Sequence, residues 1–317
     1  GKDVYCEKPG ALTIAEGQGL VRTEKRYGSV FQTGAQRASE RSFVIAGELL
    51  STGMLGEVKT VYAHLGYLPP WPRKNDVLPA QPEPPNEELD WDMWIGSAPW
   101  RDYNPGYHLR NWPAPGWMGQ YDFAAGIAQW GSHTILQCQL DLGLADTSAV
   151  EYEYTDKFSS DAGRTPGSGG EQVSEGMTVW FANGVKLVAR LPGWRGPCGV
   201  RYEGGEGWVS VADGYQRPDV SSPAFEQEFG KLAQDYSVRN QRTLNHVRDF
   251  LDCVRSRRKP VTSAEVAHRT MTTNLAMDMC LDLKRDLKWD PVKEEFIGDD
   301  EANRLRSRAA RKAWMAV

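Results

Sequence analysis

Three side chains in this sequence have types and positions suited to moving a proton: Lys8, Gln129 and His133. Lys8 ends the run Val4-Tyr5-Cys6-Glu7-Lys8-Pro9, which is β-prone, is halted by proline and is followed at once by a helix-like segment. A lysine at the carboxyl end of a strand stands where open α/β sheets receive their ligands. From there an amine can polarise a ligand oxygen and shuttle its proton. His133 closes Trp130-Gly131-Ser132-His133 inside a helical run, and a histidine of pKa about 6.5 exchanges protons at neutral pH. Residues 129 and 133 are one helical turn apart, so both can face one cleft. Gln129 can hydrogen-bond a ligand or the histidine but carries no charge. Each position also has a plain structural reading: a solvated strand-end lysine, and a satisfied core histidine.

The elements that must place these residues follow from periodicity. Residues 3–9 read as a strand and 12–27 as an amphipathic helix, with Thr13 as N-cap and Gly28 as stop. A short strand at 30–33, a helix over 40–54 and a strand at 57–65 continue an α/β opening. Seven prolines between residues 69 and 85 forbid a continuous helix or a central strand there. Residues 66–120 therefore read as a long loop region with one helical turn at 90–95. Residues 127–144 form the helix that carries His133. Short β runs at 150–154, 177–182, 185–191, 199–203 and 208–212 then imply a mostly antiparallel sheet, and Asn183-Gly184 marks a hairpin. Helices are expected over 241–257 and 263–285, with a charged helical tail over 299–317. The alternating late strands, with few helices left to cover them, predict one apolar face that pairs with a second copy.

Composition excludes several classes. The net charge of −5 and the absence of a basic face argue against nucleic acid. Five widely spaced cysteines without a CxxC pair point to reduced, buried thiols rather than disulfides or structural zinc. His108, Glu7 and His246 show no metal-ligand spacing, so no metal is expected. No apolar run approaches membrane length, and no signal peptide is visible; a cytoplasmic location is the expectation. Most of the twelve tryptophans fall between residues 71 and 130, as core or lid plugs or as platforms for sugar rings.

The Glu7-Lys8-Pro9 step, the segment Asp90-Trp91-Asp92-Met93-Trp94-Ile95-Gly96-Ser97-Ala98-Pro99-Trp100-Arg101 and the later Gly131-Ser132-His133 form a series. In that order the chain resembles the glucose-fructose oxidoreductase, inositol dehydrogenase and rhizopine catabolism family (Gfo/Idh/MocA), over nearly its whole length. The resemblance implies a fold of α/β plus α+β class. A partial Rossmann-type parallel sheet (residues 1–36) would precede a C-terminal substrate and oligomerisation domain (37–317) with a large, mostly antiparallel open sheet. It implies NAD or NADP as cofactor, a sugar or cyclitol hydroxyl as substrate, and a homo-oligomer formed through the sheet. It makes Lys8 and His133 catalytic, with Gln129 where many members carry an aspartate, and Leu136 at a further acidic position. Without that charge His133 should be a weaker base, and Lys8 should carry more of the proton chemistry. Glu7, Lys8, Pro9, Gln36 and Arg37 are the implied cofactor contacts. Asn111, Trp112, Tyr121 and Asp122 are the implied substrate contacts.

A dinucleotide fold needs a glycine-rich first turn and an acidic ribose ligand. Gly17-Gln18-Gly19 lies within a helical pattern and does not supply the turn. The expectation is therefore a chain that carries the substrate domain and lacks most of the nucleotide-binding half. Two alternatives stand beside the oxidoreductase: a non-catalytic oligomerising or carbohydrate-binding domain, and a glycosidase-type enzyme working through transient oxidation.

Overall fold

The computed structural model describes residues 1–66, 75–109, 116–124, 126–158, 176–190, 198–215, 217–239 and 242–311. Strands β1 (Val4–Cys6) and β2 (Phe31–Thr33) pair in parallel, and helix α1 (Ile14–Tyr27) crosses between them. The Thr13 hydroxyl accepts the Glu16 amide at 3.1 Å, and the Glu16 carboxylate accepts the Thr13 amide at 3.1 Å. This reciprocal cap fixes where α1 begins. It ends at Gly28, whose φ of 59° glycine adopts without strain. Gly17 lies inside the helix, and a Cβ there would come within 2.4 Å of the His268 ring. The glycine lets α1 lie close on helix α7 (Ala264–Leu283).

The third strand of the opening leaves this small sheet, contrary to the expectation of one parallel layer. After helix α2 (Arg41–Ser51), strand β3 (Val58–His64) enters a nine-stranded sheet. The physical reason is its burial pattern. β2 is buried at all three positions, as a strand covered on both faces must be. In β3, Val61 and Ala63 are buried while Thr60 and Tyr62 are half-buried, which suits a sheet covered on one face. Its partners are β4 (Glu151–Glu153), β5 (Met177–Trp180), β6 (Lys186–Arg190), β7 (Gly199–Gly204), β8 (Gly207–Ala212), β9 (Asp219–Val220), β10 (Leu287–Asp290) and β11 (Glu295–Phe296). The order is β11-β10-β4-β5-β6-β3-β7-β8-β9. The β3–β6 pair is parallel and the other neighbours are antiparallel.

One face of this sheet carries the core. Val61, Val179, Leu187, Val200, Tyr202 and Val209 are fully buried or nearly so. They meet Phe43, Ile45 and Leu49 of α2, Ile135 and Cys138 of helix α4 (Ala128–Asp141), and Leu275 and Cys280 of α7. Truncating a side chain such as Leu49, which is 0% exposed, removes about 2–5 kcal/mol. Helix α4 lies in the middle and is buried almost all round. Gly131 permits this, since a Cβ there would lie 1.8 Å from Asn274 Oδ1 of α7. At its start the Asp278 carboxylate accepts the Ile127 amide at 3.0 Å. A carboxylate at a helix N-terminus is stabilised by the dipole.

The opposite face is not the apolar surface expected from alternation. Arg190 stacks over Tyr62 at 4.1 Å, Arg201 over Trp208 at 4.0 Å and Lys186 over Trp180 at 5.5 Å. Trp180 Nε1 donates to Glu153 at 2.6 Å, and Arg201 pairs with Glu203 at 2.6 Å. It is an aromatic face threaded with cations and carboxylates.

Helix α3 (Trp91–Ile95) organises the proline-rich region into a second small core. Trp91 is 1% exposed, stacks on Trp94 at 4.9 Å and on Tyr107 at 6.0 Å, and donates from Nε1 to the Arg101 carbonyl at 3.0 Å. Helix α5 (Pro223–Arg239) and the β10–β11 hairpin are elements that the sequence reading leaves unassigned. Helix α6 (His246–Ser256) precedes α7. The expected tail helix is only α8 (Asp300–Arg304) among the described residues. Among those residues no helix is long and apolar enough to cross a membrane.

Candidate functional site

The carboxyl ends of β1 and β2 meet the first turns of α4. The Lys8 ammonium leaves the end of β1 and donates to the Gln129 carbonyl at 2.7 Å. One turn along the same helix stands His133, 3% exposed. The three residues singled out for proton chemistry therefore lie together. The Gln129 side chain, 5% exposed, is turned the other way and donates to the Met118 carbonyl at 3.3 Å. It does not hold the imidazole.

β2 is tied in place at its end. Thr262 donates from Oγ1 to the Thr33 carbonyl at 2.9 Å, and the Thr33 amide donates to the Thr262 carbonyl at 3.0 Å. His246 reaches the same Thr33 carbonyl through Nε2 at 2.8 Å, and its Nδ1 meets the Ser39 hydroxyl at 2.8 Å. A carbonyl only accepts, so Nε2 carries the proton and Nδ1 accepts from Ser39. Both nitrogens are engaged, which makes His246 a fixture of the site's floor.

Arg37 closes the side toward the large sheet. It forms a very short ion pair with Asp213, just beyond β8, and lies 4.0 Å from Glu40. With its amide nitrogen toward Gly34, Gln36 donates to the Gly34 carbonyl at 2.6 Å and accepts from Arg37 Nη1 at 3.0 Å. Cys198, just before β7, is fully buried within reach of the Arg37 and Lys8 charges. Asp213 has no signal in the sequence, Cys198 reads there only as one of the buried thiols, and His246 only as a residue without metal-ligand spacing. They come from distant strand ends and a helix start, and no local pattern ties them to Lys8.

The electrostatics are those of buried cations. Burial pushes the Lys8 ammonium below its usual range; Glu7 opposes this and Arg37 adds to it. Burial, then the Arg37 and Lys8 charges and His246, push His133 down to about 3. This goes further than the weaker base expected where residue 129 carries no charge: the imidazole is neutral at pH 7 and a poor base. Burial raises the Cys198 thiol to about 12, despite Arg37 and Lys8, so it is not a nucleophile here.

The other expected contacts separate. Beyond the end of β1 the chain turns, and Glu7 and Pro9 part from Lys8. They line a cavity of ≈ 820 Å³ with Cys6, Leu12, Arg22 and Tyr27, against α1. Lys8, Gln129 and His133 do not line that cavity. Asp122 is bound in a very short ion pair with Arg101, whose guanidinium is 4.7 Å from the Phe123 ring centre. It braces the small aromatic core. Tyr121 lies under Arg308, 4.0 Å away. Asn111 and Trp112 lie outside the described residues. Trp117 is 40% exposed, on the short turn whose Met118 carbonyl receives Gln129.

Residues 216–316 match the model of an oxidoreductase family's C-terminal α/β domain. No curated protein matches the chain. Among solved structures, GenD2 from gentamicin A biosynthesis in complex with NAD is 16% identical, with a TM-score of 0.52 over 91% of this chain and 72% of that one. An oxidoreductase from Agrobacterium radiobacter, in complex with NAD+, L-tartaric acid and magnesium, is 12% identical with a TM-score of 0.52 over 90% and 72%. Aldose-aldose oxidoreductase from Caulobacter crescentus, complexed with glycerol, is 17% identical with a TM-score of 0.50 over 90% and 72%. These likenesses show a shared fold.

Proposed function

We propose that this chain, whose residues 216–316 carry the C-terminal α/β domain of the Gfo/Idh/MocA oxidoreductase family, works as an NAD(P)-dependent oxidoreductase on a sugar or cyclitol hydroxyl. The observation that carries this reading is the Lys8 amine on the Gln129 carbonyl at 2.7 Å, one helical turn from a buried, neutral His133. The NAD-bound structures that share the fold support the cofactor class.

The residues present fit the nicotinamide end of such a cofactor. Gly34 stands where the two strand ends meet, and its missing side chain makes room for the Glu7 carboxyl group, which a Cβ would approach to 2.9 Å; Arg37 Nε is buried without a hydrogen bond among the described residues, a donor left for a ligand. Lys8, Gln36 and Arg37 would hold the ring. A bound nicotinamide supplies the acceptor for the hydride leaving the carbinol carbon. The protein's part is the proton. Burial and the Arg37 charge favour the neutral amine at Lys8, and a neutral amine within hydrogen-bond reach takes the hydroxyl proton. His133 is neutral and a weak base, so it orients the same oxygen instead of deprotonating it. The low-dielectric floor of Thr33, His246 and Cys198 keeps water from competing.

Assays of the full gene product with NAD+ and NADP+ against a panel of sugars and cyclitols test this reading. Reduction of one cofactor by at least one member is expected. Reduction of neither by any member would overturn it.

A further inference from the structure

Helix α4 carries polar side chains at residues 129, 133, 137 and 141, four apart and so on one inclined ridge. Gln137 is 2% exposed. Its amide nitrogen donates to Asp141 Oδ1 at 2.6 Å, and the Tyr202 hydroxyl of β7 makes a very short hydrogen bond to Asp141 Oδ2. Gly47 of α2 makes room for this carboxyl group, since a Cβ there would lie 2.3 Å from Oδ1. Asp141 forms no ion pair among the described residues. A carboxyl group taken into the core without a cation costs stability, and its strongest link here is to Gln137 and Tyr202.

Two atoms on the ridge remain without a hydrogen bond among the described residues: His133 Nδ1 and Gln137 Oε1. Both are buried, and an unmet buried polar atom is unfavourable. They are one turn apart, and one is a carbonyl acceptor while the other can carry a proton. Because the Gln137 nitrogen is committed to Asp141, its oxygen must point away from that carboxyl group. Side chains four apart on a helix have Cβ atoms about 5–6 Å from each other, within reach of a small rotamer change.

We propose that Gln137 is a positioning residue for His133: its Oε1 takes the Nδ1 proton, with Asp141 and Tyr202 locking the amide, so that the free Nε2 lone pair faces the substrate. The proposal rests on the reading of His133 as a substrate-facing group. It adds the reason why a neutral imidazole, too weak to be the base, presents one defined nitrogen. An imidazole free to exchange tautomers would present an acceptor in one form and a donor in the other.

The test is the tautomer itself, read without turnover. Two-dimensional ¹H–¹⁵N correlation of the histidine side chains in the full chain, with the His133 signals assigned by their loss in His133→Asn, distinguishes Nδ1–H from Nε2–H. The wild type should show the Nδ1–H form. Gln137→Met should shift the population toward Nε2–H and lower kcat roughly tenfold or more, as loss of an imidazole's orienting partner does, with KM within about twofold. A wild-type Nε2–H tautomer would overturn the proposal, and this result needs no variant to fold. An unchanged tautomer in folded Gln137→Met would overturn it as well. If the Nδ1–H form is found but no sugar is oxidised, the function fails and the positioning stands. Turnover with an Nε2–H form has the opposite meaning.

Discussion

At the scale of single residues, the site is a contest between burial and charge. His133 falls to about 3 through burial and two neighbouring cations, so the folded state refuses a proton that the unfolded chain binds below about 6.5. The unfolded state then holds more protons between those values, and stability rises with pH across that window. His64, pushed to about 4 by burial, Arg190 and Arg201, contributes in the same direction. In urea titrations at several pH values, His133→Asn should flatten the dependence between pH 4 and 6.5; an unaltered slope would count against the buried neutral imidazole. Gln129→Asp probes the same balance from the other side. A carboxylate beside Lys8 favours its charged form, so the limb of kcat/KM that reports the free amine should move to higher pH. A limb that stays, or moves down, would show that residue 129 does not act on Lys8. The place of Lys8 was legible in the sequence because a strand, a lysine and a proline in that order put its amine at a strand's carboxyl end. For His133 a weaker base was legible from the uncharged Gln129, but not how weak, because the causes, burial in α4 and the Arg37 charge, are set by packing between distant segments.

The elements decide whether these residues meet. α4 must approach α7 closely enough to seal His133, and Gly131 is the position that allows it. Gly131→Ala places a Cβ against Asn274, and overpacking of this kind costs about 1–3 kcal/mol. A lowered urea midpoint at unchanged m is expected; an unchanged midpoint would mean that the helices can move apart freely. The turn carrying Trp117 bears on substrate rather than on stability. An exposed aromatic ring beside the Gln129 contact offers a stacking face for a sugar, so Trp117→Ala should raise KM several-fold and leave the urea midpoint in place. A KM equal to wild type would remove it from the site. Asp122 belongs to the same region but not to the same role. Breaking its buried pair strands the Arg101 charge, so Asp122→Ala should cost about 3–5 kcal/mol, seen as a loss of stability that outweighs any change in KM. The strands and the Asn183-Gly184 hairpin were legible from alternation and turn chemistry. α5 was passed over although its stripe was there to be read, Phe225, Phe229, Leu232 and Tyr236 recurring at helical spacing. The aromatic core around Trp91 was read in part: the tryptophans spoke for packing, but nothing local named Arg101 and Asp122 as its brace.

For the molecule as a whole, two sheets share one set of helices. The small parallel pair supplies Lys8 and Arg37, the large sheet supplies Cys198 and Asp213 at its strand ends, and α4 lies between them. The large sheet leaves its second face to Tyr62, Trp180 and Trp208 with their stacked cations. Acidic side chains such as Glu153 and Glu203 share that face, so it is self-complementary in charge, and we propose a second copy as its partner. Alternation alone suggested an apolar face. It could not show that arginines would lie flat over the rings, where they keep their charge in water and still cover apolar surface. Sedimentation at micromolar concentration should give a dimer or larger species, and Trp208→Asp should shift it toward monomer; a wild-type monomer would contradict this.

In the proposed reaction Lys8 exchanges the proton during hydride transfer in a site it shares with His133. The decisive measurement is the steady-state kcat of Lys8→Ala beside the wild type, using the sugar or cyclitol and the nicotinamide cofactor that give the highest wild-type turnover. A fall of roughly 10²-fold or more in kcat is expected, as for other general acid–base groups, with little change in KM. Wild-type turnover in the folded variant would contradict it.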